Sequence, residues 1–205
     1  MFHYRQPEFR FGTPWKYGEP MSEETGTRAR TRRAILDAAI AVLNKDTSAS
    51  LGDVANAAGV GRTTVHRYFP ERSDLLTAIG ADVLESIEHA TVRARLGEGT
   101  ALEALDRLCQ EYFDLGDVML LLFNNPGLIT DEQWDEETEA DRALNRLIER
   151  GHAEGTIDPE LPVSWVSNML WALLYASWQQ TDQYGTSKHT AIGLCLRSLR
   201  KALAV

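Results

Sequence analysis

The chain has 205 residues, enough for one or two domains with a substantial buried core. It carries 21 Lys or Arg against 30 Asp or Glu, which gives a formal net charge of −9, and it contains two cysteines. No run approaches about 18 apolar residues, and the N-terminus lacks the pattern of a secretory signal, so we expect a cytoplasmic protein without a membrane segment. Cys109 and Cys195 lie in apolar helical patterns, which favours reduced core thiols; a redox-sensing pair is the alternative.

The first 26 residues differ from the rest of the chain. They contain three prolines and several aromatic residues, and they show no helical period. This composition predicts a flexible N-terminal extension. A basic arm that reaches the minor groove of DNA through Arg5, Arg10 and Lys16 is the alternative.

A first helix is predicted from about Thr27 to Asn44, because apolar residues recur at helical spacing on one face. Four arginines crowd its first turns, where the helix dipole disfavours cations. Contact with DNA phosphates explains this placement, and a solvated helix end is the alternative. These arginines are Arg28, Arg30, Arg32 and Arg33.

Residues 50–72 predict two short helices joined by a glycine turn. Ser50 and Asp53 have the spacing of a capping box, and Gly59 stands where a chain that leaves a helix commonly needs positive φ. Val65 falls on the inner face of the second helix, and Pro70 ends that helix. This is the layout of a helix-turn-helix, which places its second helix in the major groove of DNA. An ordinary helical hairpin with a glycine cap is the alternative.

The remaining residues also predict helices, and the whole chain is expected to be all-α. A fourth helix begins near Arg72 or Ser73 and ends before Gly97. Breakers such as Asn-Pro-Gly and Asp-Pro separate the later helical patterns, and no strand alternation competes with them. Five further helices are predicted at about 101–115, 117–123, 131–154, 162–180 and 187–203.

The net charge is unevenly divided along the chain. Residues 27–72 carry eight basic and four acidic side chains, a formal charge of +4, whereas residues 73–205 carry −12 and residues 1–26 carry −1. A basic head on an acidic body is the charge distribution expected of a DNA-binding protein. We therefore predict a DNA-binding domain at 27–72 and a second domain at 73–205.

Two stretches of the sequence resemble a known family. Residues 59–76, Gly-Val-Gly-Arg-Thr-Thr-Val-His-Arg-Tyr-Phe-Pro-Glu-Arg-Ser-Asp-Leu-Leu, and residues 34–39, Ala-Ile-Leu-Asp-Ala-Ala, resemble the TetR family of bacterial transcriptional regulators. The close resemblance covers about residues 28–85. It implies a three-helix head with a helix-turn-helix and a larger helical body for effector binding and dimerisation.

The resemblance and the chemistry of the second short helix indicate which residues contact DNA. Arginine binds guanine through two hydrogen bonds, and threonine offers a methyl or a hydroxyl group to base edges. Arg62 and Thr63 match family positions that set sequence preference. His66 replaces the usual Tyr, which suggests a pH-dependent phosphate contact. Glu71 departs from the usual short cap, which leaves the start of the fourth helix open. The predicted DNA-contacting residues are Arg62, Thr63, Thr64, His66, Arg67, Tyr68 and Arg72.

The resemblance also implies two sites in the body. The last two long helices form the dimer contact in the family, and the interface residues predicted here are Leu173, Ser177, Ile192, Leu196 and Leu199. A helix buried wholly within one subunit is the alternative. Aromatic and methionine side chains suit a flat or apolar effector, although each of them also fits an ordinary core. The predicted pocket residues are Tyr112, Phe113, Met119, Phe123, Trp134, Trp165, Met169 and Tyr175.

These observations predict a DNA-binding transcriptional regulator, a repressor that a small-molecule effector releases from a palindromic operator. The expected partners are double-stranded DNA, a small-molecule effector and a second copy of the chain, with no membrane, cofactor or metal. A ligand-binding or adaptor protein that has lost DNA affinity is one alternative. A helical metal-dependent enzyme is another, suggested by the acidic run at 131–141 and His152, but the His-Glu-x-x-His motif and phosphate-binding glycine loops are absent from the sequence.

Overall fold

The computed structural model describes residues 26–128 and 137–205, and all regular secondary structure in these ranges is helical, as predicted. The predicted extension at 1–26 lies, up to residue 25, outside the described residues. The helices are α1 (Gly26–Leu43), α2 (Leu51–Ala57), α3 (Arg62–Tyr68), α4 (Arg72–Arg93), α5 (Ala101–Phe113), α6 (Gly116–Asn124), α7 (Glu139–Glu154), α8 (Val163–Asp182) and α9 (Lys188–Leu203).

Helices α1, α2 and α3 form a small head, and its local signals are confirmed. The Ser50 hydroxyl accepts from the Asp53 amide at 3.3 Å, while the Asp53 carboxylate accepts from the Ser50 amide at 2.8 Å, which completes the capping box. Gly59 has φ +66°, a conformation in the left-handed region that favours glycine. Val65 and Phe69 are buried against the other two helices, so α3 is fixed by its inner face.

The head joins the body through α4 and through a polar contact just after the end of α1. Leu75 and Ile79 are buried in the first half of α4, and the helix continues without a break into the body. The Asn44 side-chain amide, just after α1, donates to the Asp117 carbonyl of α6 at 2.7 Å. The head therefore touches α6 directly as well as being connected through α4.

Helix α5 lies at the centre of the body, where it contacts α4, α7, α8 and α9. Asp106 of α5 is buried, and its carboxylate accepts from Arg200 Nε of α9 at 2.8 Å. Cys109 and Cys195 are free and buried in the same contact between α5 and α9, which confirms the prediction of core thiols. The hydrogen bond with Cys195, together with burial, raises the pKa of the Cys109 thiol well above its ordinary value.

Helix α7 is shorter than the predicted helix at 131–154. Residues 137 and 138 are not helical, and residues 131–136 lie outside the described part. The helix begins at Glu139 because Thr138 caps it: the Asp141 amide donates to the Thr138 hydroxyl at 3.1 Å, and the Thr138 amide donates to the Asp141 carboxylate at 2.9 Å. The acidic stretch that begins at residue 131 therefore contains the capping box of Thr138 and Asp141, and the helix begins at that box.

Candidate nucleic-acid interface

Helix α3 presents its polar face to solvent while its inner face anchors it. Val65 is fully buried and Phe69 is nearly so, whereas Thr64 is half-buried at the edge. The structure thus brings most of the predicted DNA-contacting residues of α3 to one accessible surface. The exposed members are Arg62, Thr63, His66 and Arg67.

Tyr68 connects the end of α3 to the start of α1. Its hydroxyl donates to the Arg28 carbonyl at 3.3 Å, and its ring centroid lies 5.9 Å from the Arg28 guanidinium carbon. The Arg67 guanidinium carbon lies 5.7 Å from the same centroid. Cation–π attraction of this kind holds a guanidinium over a ring, so Tyr68 keeps the Arg28 and Arg67 guanidinium groups together at the end of α3.

His66 makes a local hydrogen bond that defines its chemistry toward an anion. Its Nδ1 atom donates to the Pro70 carbonyl at 3.2 Å. With a proton on Nδ1, the neutral ring offers only an acceptor at Nε2, and only the protonated ring can donate to a phosphate. The phosphate contact predicted for His66 remains a prediction.

Arg72 has a structural role that the sequence did not indicate. One of its terminal nitrogens donates to the Ala49 carbonyl at 2.9 Å, and the other donates to the Thr47 carbonyl. The guanidinium therefore connects the start of α4 to the loop between α1 and α2. The uncertainty about Glu71 is also resolved, because the Asp74 carboxylate accepts from the Glu71 amide at 2.9 Å and α4 begins at Arg72.

Replacing Arg72 with alanine is expected to weaken binding to all DNA sequences alike. The slope of log affinity against log salt should fall by about one unit, because the predicted contact with one phosphate would be lost. The free energy of unfolding should also fall by about 1–2 kcal/mol, since two backbone carbonyls lose their donor. Binding titrations at several salt concentrations and chemical denaturation measure the two effects separately.

Arg72→Lys is the matched control, because lysine keeps the charge but lacks the planar fork that reaches two carbonyls. It should keep the salt slope of the native protein and lose stability as the alanine variant does. An unchanged slope in Arg72→Ala would remove the phosphate contact, and native stability in Arg72→Lys would show that the loop contact is unimportant.

The arginines of α1 are engaged within the protein. Arg33 lies in an ion-pair group with Asp37 of its own helix and with Asp82 of α4, whose carboxylate oxygens are both 2.8 Å from Arg33 Nη1. Hydrogen bonds and charge from these carboxylates raise the pKa of Arg33. The Arg32 guanidinium carbon lies 5.8 Å from the Phe69 ring centroid. Arg33 therefore joins the head to α4. The sequence predicted a phosphate contact or a solvated helix end for this residue, and neither prediction included this ion pair.

In the body, five aromatic side chains form one cluster between α5, α6 and α8. The rings of Tyr112 and Trp171 are stacked, with centroids 5.0 Å apart and planes inclined by 11°. Phe123, 41% exposed, lies against three other rings, with centroids 5.3 Å from Tyr175, 6.2 Å from Trp178 and 6.4 Å from Trp171. Trp171 and Trp178 were missed, although their spacing with Tyr175 (i, i+4, i+7) places all three on one helical face.

Polar groups lie at two places on this aromatic cluster. The hydroxyls of Tyr112 and Thr91 are 2.7 Å apart, and burial raises the pKa of Tyr112 to about 12. The Tyr175 hydroxyl donates to the Asn124 side-chain oxygen at 2.7 Å and accepts from Gln179 at 2.8 Å. Flat apolar walls with a few orienting polar groups are the usual lining of a small-molecule site.

The other predicted pocket residues have different surroundings. Met119 is buried one turn before Phe123 in α6, and Phe113 lines a separate depression of about 160 Å³ together with Trp178 and Lys188. Trp165 is 58% exposed and shares a face of α8 with half-buried Met169, away from the aromatic cluster, and the pocket assignment of both residues stays a prediction. Trp134 lies outside the described residues.

An apolar stripe runs along the outer face of α8. Trp165, Met169, Ala172 and Ala176 recur at helical spacing, with the two alanines and Trp165 exposed. Leu194 of α9 is 45% exposed. We call Trp165, Met169, Ala172 and Ala176 the α8 stripe.

The predicted dimer residues divide into two groups. Leu173, Ile192 and Leu196 are half-buried. Ser177 and Leu199 are buried within the single chain, and their assignment to the dimer contact stays a prediction. Burial follows from the packing of α8 along α9 inside one subunit.

The described residues contain no group of three or more His, Cys, Asp or Glu side chains arranged to hold a metal ion. Across 26–128 and 137–205, no helix has both the length and the apolar character needed to span a bilayer.

Comparison with known proteins supports the same interpretation. Residues 35–79 match the family model described as bacterial regulatory proteins, tetR family. Over 183 residues, 89% of this chain and 95% of the relative, the chain is 38% identical to the HTH-type transcriptional repressor LfrR of Mycolicibacterium smegmatis.

Solved structures give a consistent result. The crystal structure of the TetR-like regulator LfrR from Mycobacterium smegmatis in complex with proflavine matches with a TM-score of 0.68 at 35% identity, over 86% of this chain and 98% of that one. A TetR family regulator from Marinobacter aquaeolei, at 21% identity, shares the fold with a TM-score of 0.66 over 88% of this chain and 99% of the other. The chain therefore belongs to the tetR family of bacterial regulatory proteins and is a DNA-binding transcriptional regulator.

Proposed function

We propose that this regulator is a repressor that binds a palindromic operator as a homodimer and is released from it by a flat aromatic effector. The observation that carries the DNA-binding part is α3 itself, whose polar face is exposed while Val65 and Phe69 anchor it. The relative LfrR is named as a repressor, which supports repression over activation.

In this proposal the exposed face of α3 reads the operator in the major groove. Arg62 and Thr63 contact base edges, since their side chains match the hydrogen-bonding patterns of guanine and thymine. Thr64, His66, Arg67 and Tyr68 contact base or backbone, and Arg72 contacts phosphate. The concentration of positive charge in residues 27–72 favours DNA contact at the head, while the acidic body opposes it elsewhere.

A second copy of the chain supplies the second head. The α8 stripe is apolar and carries two alanines, which let a partner helix approach closely. Leu194 extends this surface onto α9, and half-buried Leu173, Ile192 and Leu196 flank it. A twofold contact here would present two α3 helices to half-sites about 34–36 Å apart, one turn of DNA.

The proposed effector site is the aromatic cluster of Tyr112, Phe123, Trp171, Tyr175 and Trp178. The rings of Tyr112 and Trp171 are stacked with centroids 5.0 Å apart, and the flat faces of such side chains suit stacking on a planar ligand. The relative LfrR has been crystallised with proflavine. We propose that this chain also binds proflavine. A ligand that favours the form unable to bind DNA releases the operator by shifting the population of the two forms.

The deciding experiment is selection of bound fragments from a random DNA pool at moderate salt, repeated in the presence of proflavine. We expect recovery of a palindromic motif whose binding proflavine weakens. Failure to enrich any motif would favour the alternative of an adaptor protein without DNA affinity. Enrichment that proflavine leaves unchanged would keep the DNA-binding function and reject this class of effector.

The two-domain division at residues 72 and 73, the N-terminal extension and the cytoplasmic location remain predictions that agree with this function. Helix α4 begins at Arg72, next to the proposed boundary, and it contacts α1 of the head as well as α5 and α7 of the body.

A further inference from the structure

Arg62, the first residue of α3, lies against α2 at a position where that helix has no side chain. A Cβ atom built on Gly52 would be 3.2 Å from Arg62 Nε and 3.4 Å from Arg62 Cζ. The first distance is shorter than an ordinary contact between such atoms. The Arg62 guanidinium thus lies in space that a side chain at residue 52 would partly fill, and a Cβ there would require the guanidinium to shift by a few tenths of an ångström.

The charge of Arg62 also acts on α2, as its short distance from that helix predicts. Asp53, the next residue of α2, has its pKa lowered by hydrogen bonds from Ser50 and, to a smaller extent, by the charge of Arg62. Arg62 remains exposed, so its cation stays available to a ligand while its side chain is held against α2. Arg62 therefore approaches DNA from a position that α2 helps to define.

We propose that Gly52 is a positioning residue for sequence recognition: its missing side chain lets Arg62 lie across α2, and this placement sets the base that Arg62 reads. The inference rests on the proposed function, since it requires an operator. It assigns a role in specificity to a residue of α2 that has no side chain to contact DNA.

The proposal predicts that a substitution at Gly52 can change operator recognition without lowering the thermal stability of the head. Gly52 lies inside α2, where alanine has the better helix propensity, so Gly52→Ala should leave the thermal midpoint of the head unchanged or raise it. The same methyl group pushes the guanidinium aside by a few tenths of an ångström. Gly52→Gln places a longer side chain there and should displace the guanidinium fully.

The test combines motif selection from a random DNA pool with binding titrations of the selected operator. Gly52→Gln should lower operator affinity about tenfold, the size expected for loss of one good base contact, and Gly52→Ala should have a smaller effect. Arg62→Ala should alter the selected motif at the same base positions as Gly52→Gln. In an Arg62→Ala background, Gly52→Gln should cause no further loss.

Gly26→Ala is the matched control, because a Cβ at this residue of the head meets no described atom within 4 Å. It should leave motif, affinity and thermal midpoint unchanged. Three results would overturn the inference: a native motif and affinity in Gly52→Gln, a native motif in Arg62→Ala, or a further loss when both changes are combined. If the unmodified protein selects no motif, the proposed function itself fails, which is a different and recognisable outcome.

Discussion

Arginine in place of Ala172 is expected to separate the proposed dimer into single chains. Ala172 is exposed in the centre of the α8 stripe, so the larger side chain costs the isolated subunit little, and arginine is a good helix former. In a twofold contact each copy contributes one such arginine, and like charges brought together in an interface cost several kcal/mol. We expect dimer affinity to fall by roughly 100-fold or more, as measured by sedimentation equilibrium.

Binding to the full palindrome should fall along with the dimer, because a single head reads only one half-site. Ala172→Ser is the matched control, since it keeps the small size that close packing needs, and it should remain dimeric. Ala172 is a better probe than Leu196, which is half-buried and also packs against the core of its own subunit. An Ala172→Arg protein that stays dimeric at native concentrations would show that the α8 stripe is not the interface.

Replacing Trp178 with alanine is expected to lower the free energy of unfolding by about 3–5 kcal/mol, the usual cost of removing a large buried aromatic side chain. Trp178 is only 2% exposed, and its indole nitrogen donates to the Phe113 carbonyl at 2.9 Å. Its ring also covers Gly116, where a Cβ atom would lie 2.7 Å from Cδ1. One side chain therefore holds α5, α6 and α8 together.

Urea denaturation followed by the helical circular dichroism signal measures this loss. Trp178→Phe separates the two contributions, because it keeps most of the apolar contact and removes the donor to Phe113. It should cost about 1–3 kcal/mol, the penalty for an acceptor left without a partner in the interior. A loss below about 1 kcal/mol in Trp178→Ala would contradict the packing role described for this residue.

The head was predictable because its signals are local. The capping box of Ser50 and Asp53, the positive φ of Gly59 and the helix end before Pro70 each depend on a few neighbouring residues. Spacing alone therefore predicted a helix-turn-helix, and resemblance to one family narrowed its interpretation. The difference in formal charge between head and body was predictable from a count of the charged residues in each part of the sequence.

The contacts of the body were harder to predict because they depend on which helix faces which. Helix α8 is apolar nearly all round, so composition could not tell exposed Trp165 from Trp178 in the core. The periodicity of Trp171, Tyr175 and Trp178 did contain that information. Asp82, the second partner of Arg33, lies far along the chain, and the partners of Arg72 are backbone carbonyls, so no sequence pattern marks these contacts.

Helix α6 has nine residues and is therefore only about 13 Å long. In its first turn, the Asp117 carbonyl accepts a hydrogen bond from the side chain of Asn44, just after α1. Near its other end, Phe123 lies in the aromatic cluster. In the proposed function, a ligand that displaces Phe123 would push on this short helix, whose other end contacts the head. Movement of the helix would change the separation of the two α3 helices in the proposed dimer without reshaping either one. Operator binding would then be lost because the separation of the two α3 helices no longer matches the separation of the two half-sites. The DNA-contacting face of each α3 would stay unchanged.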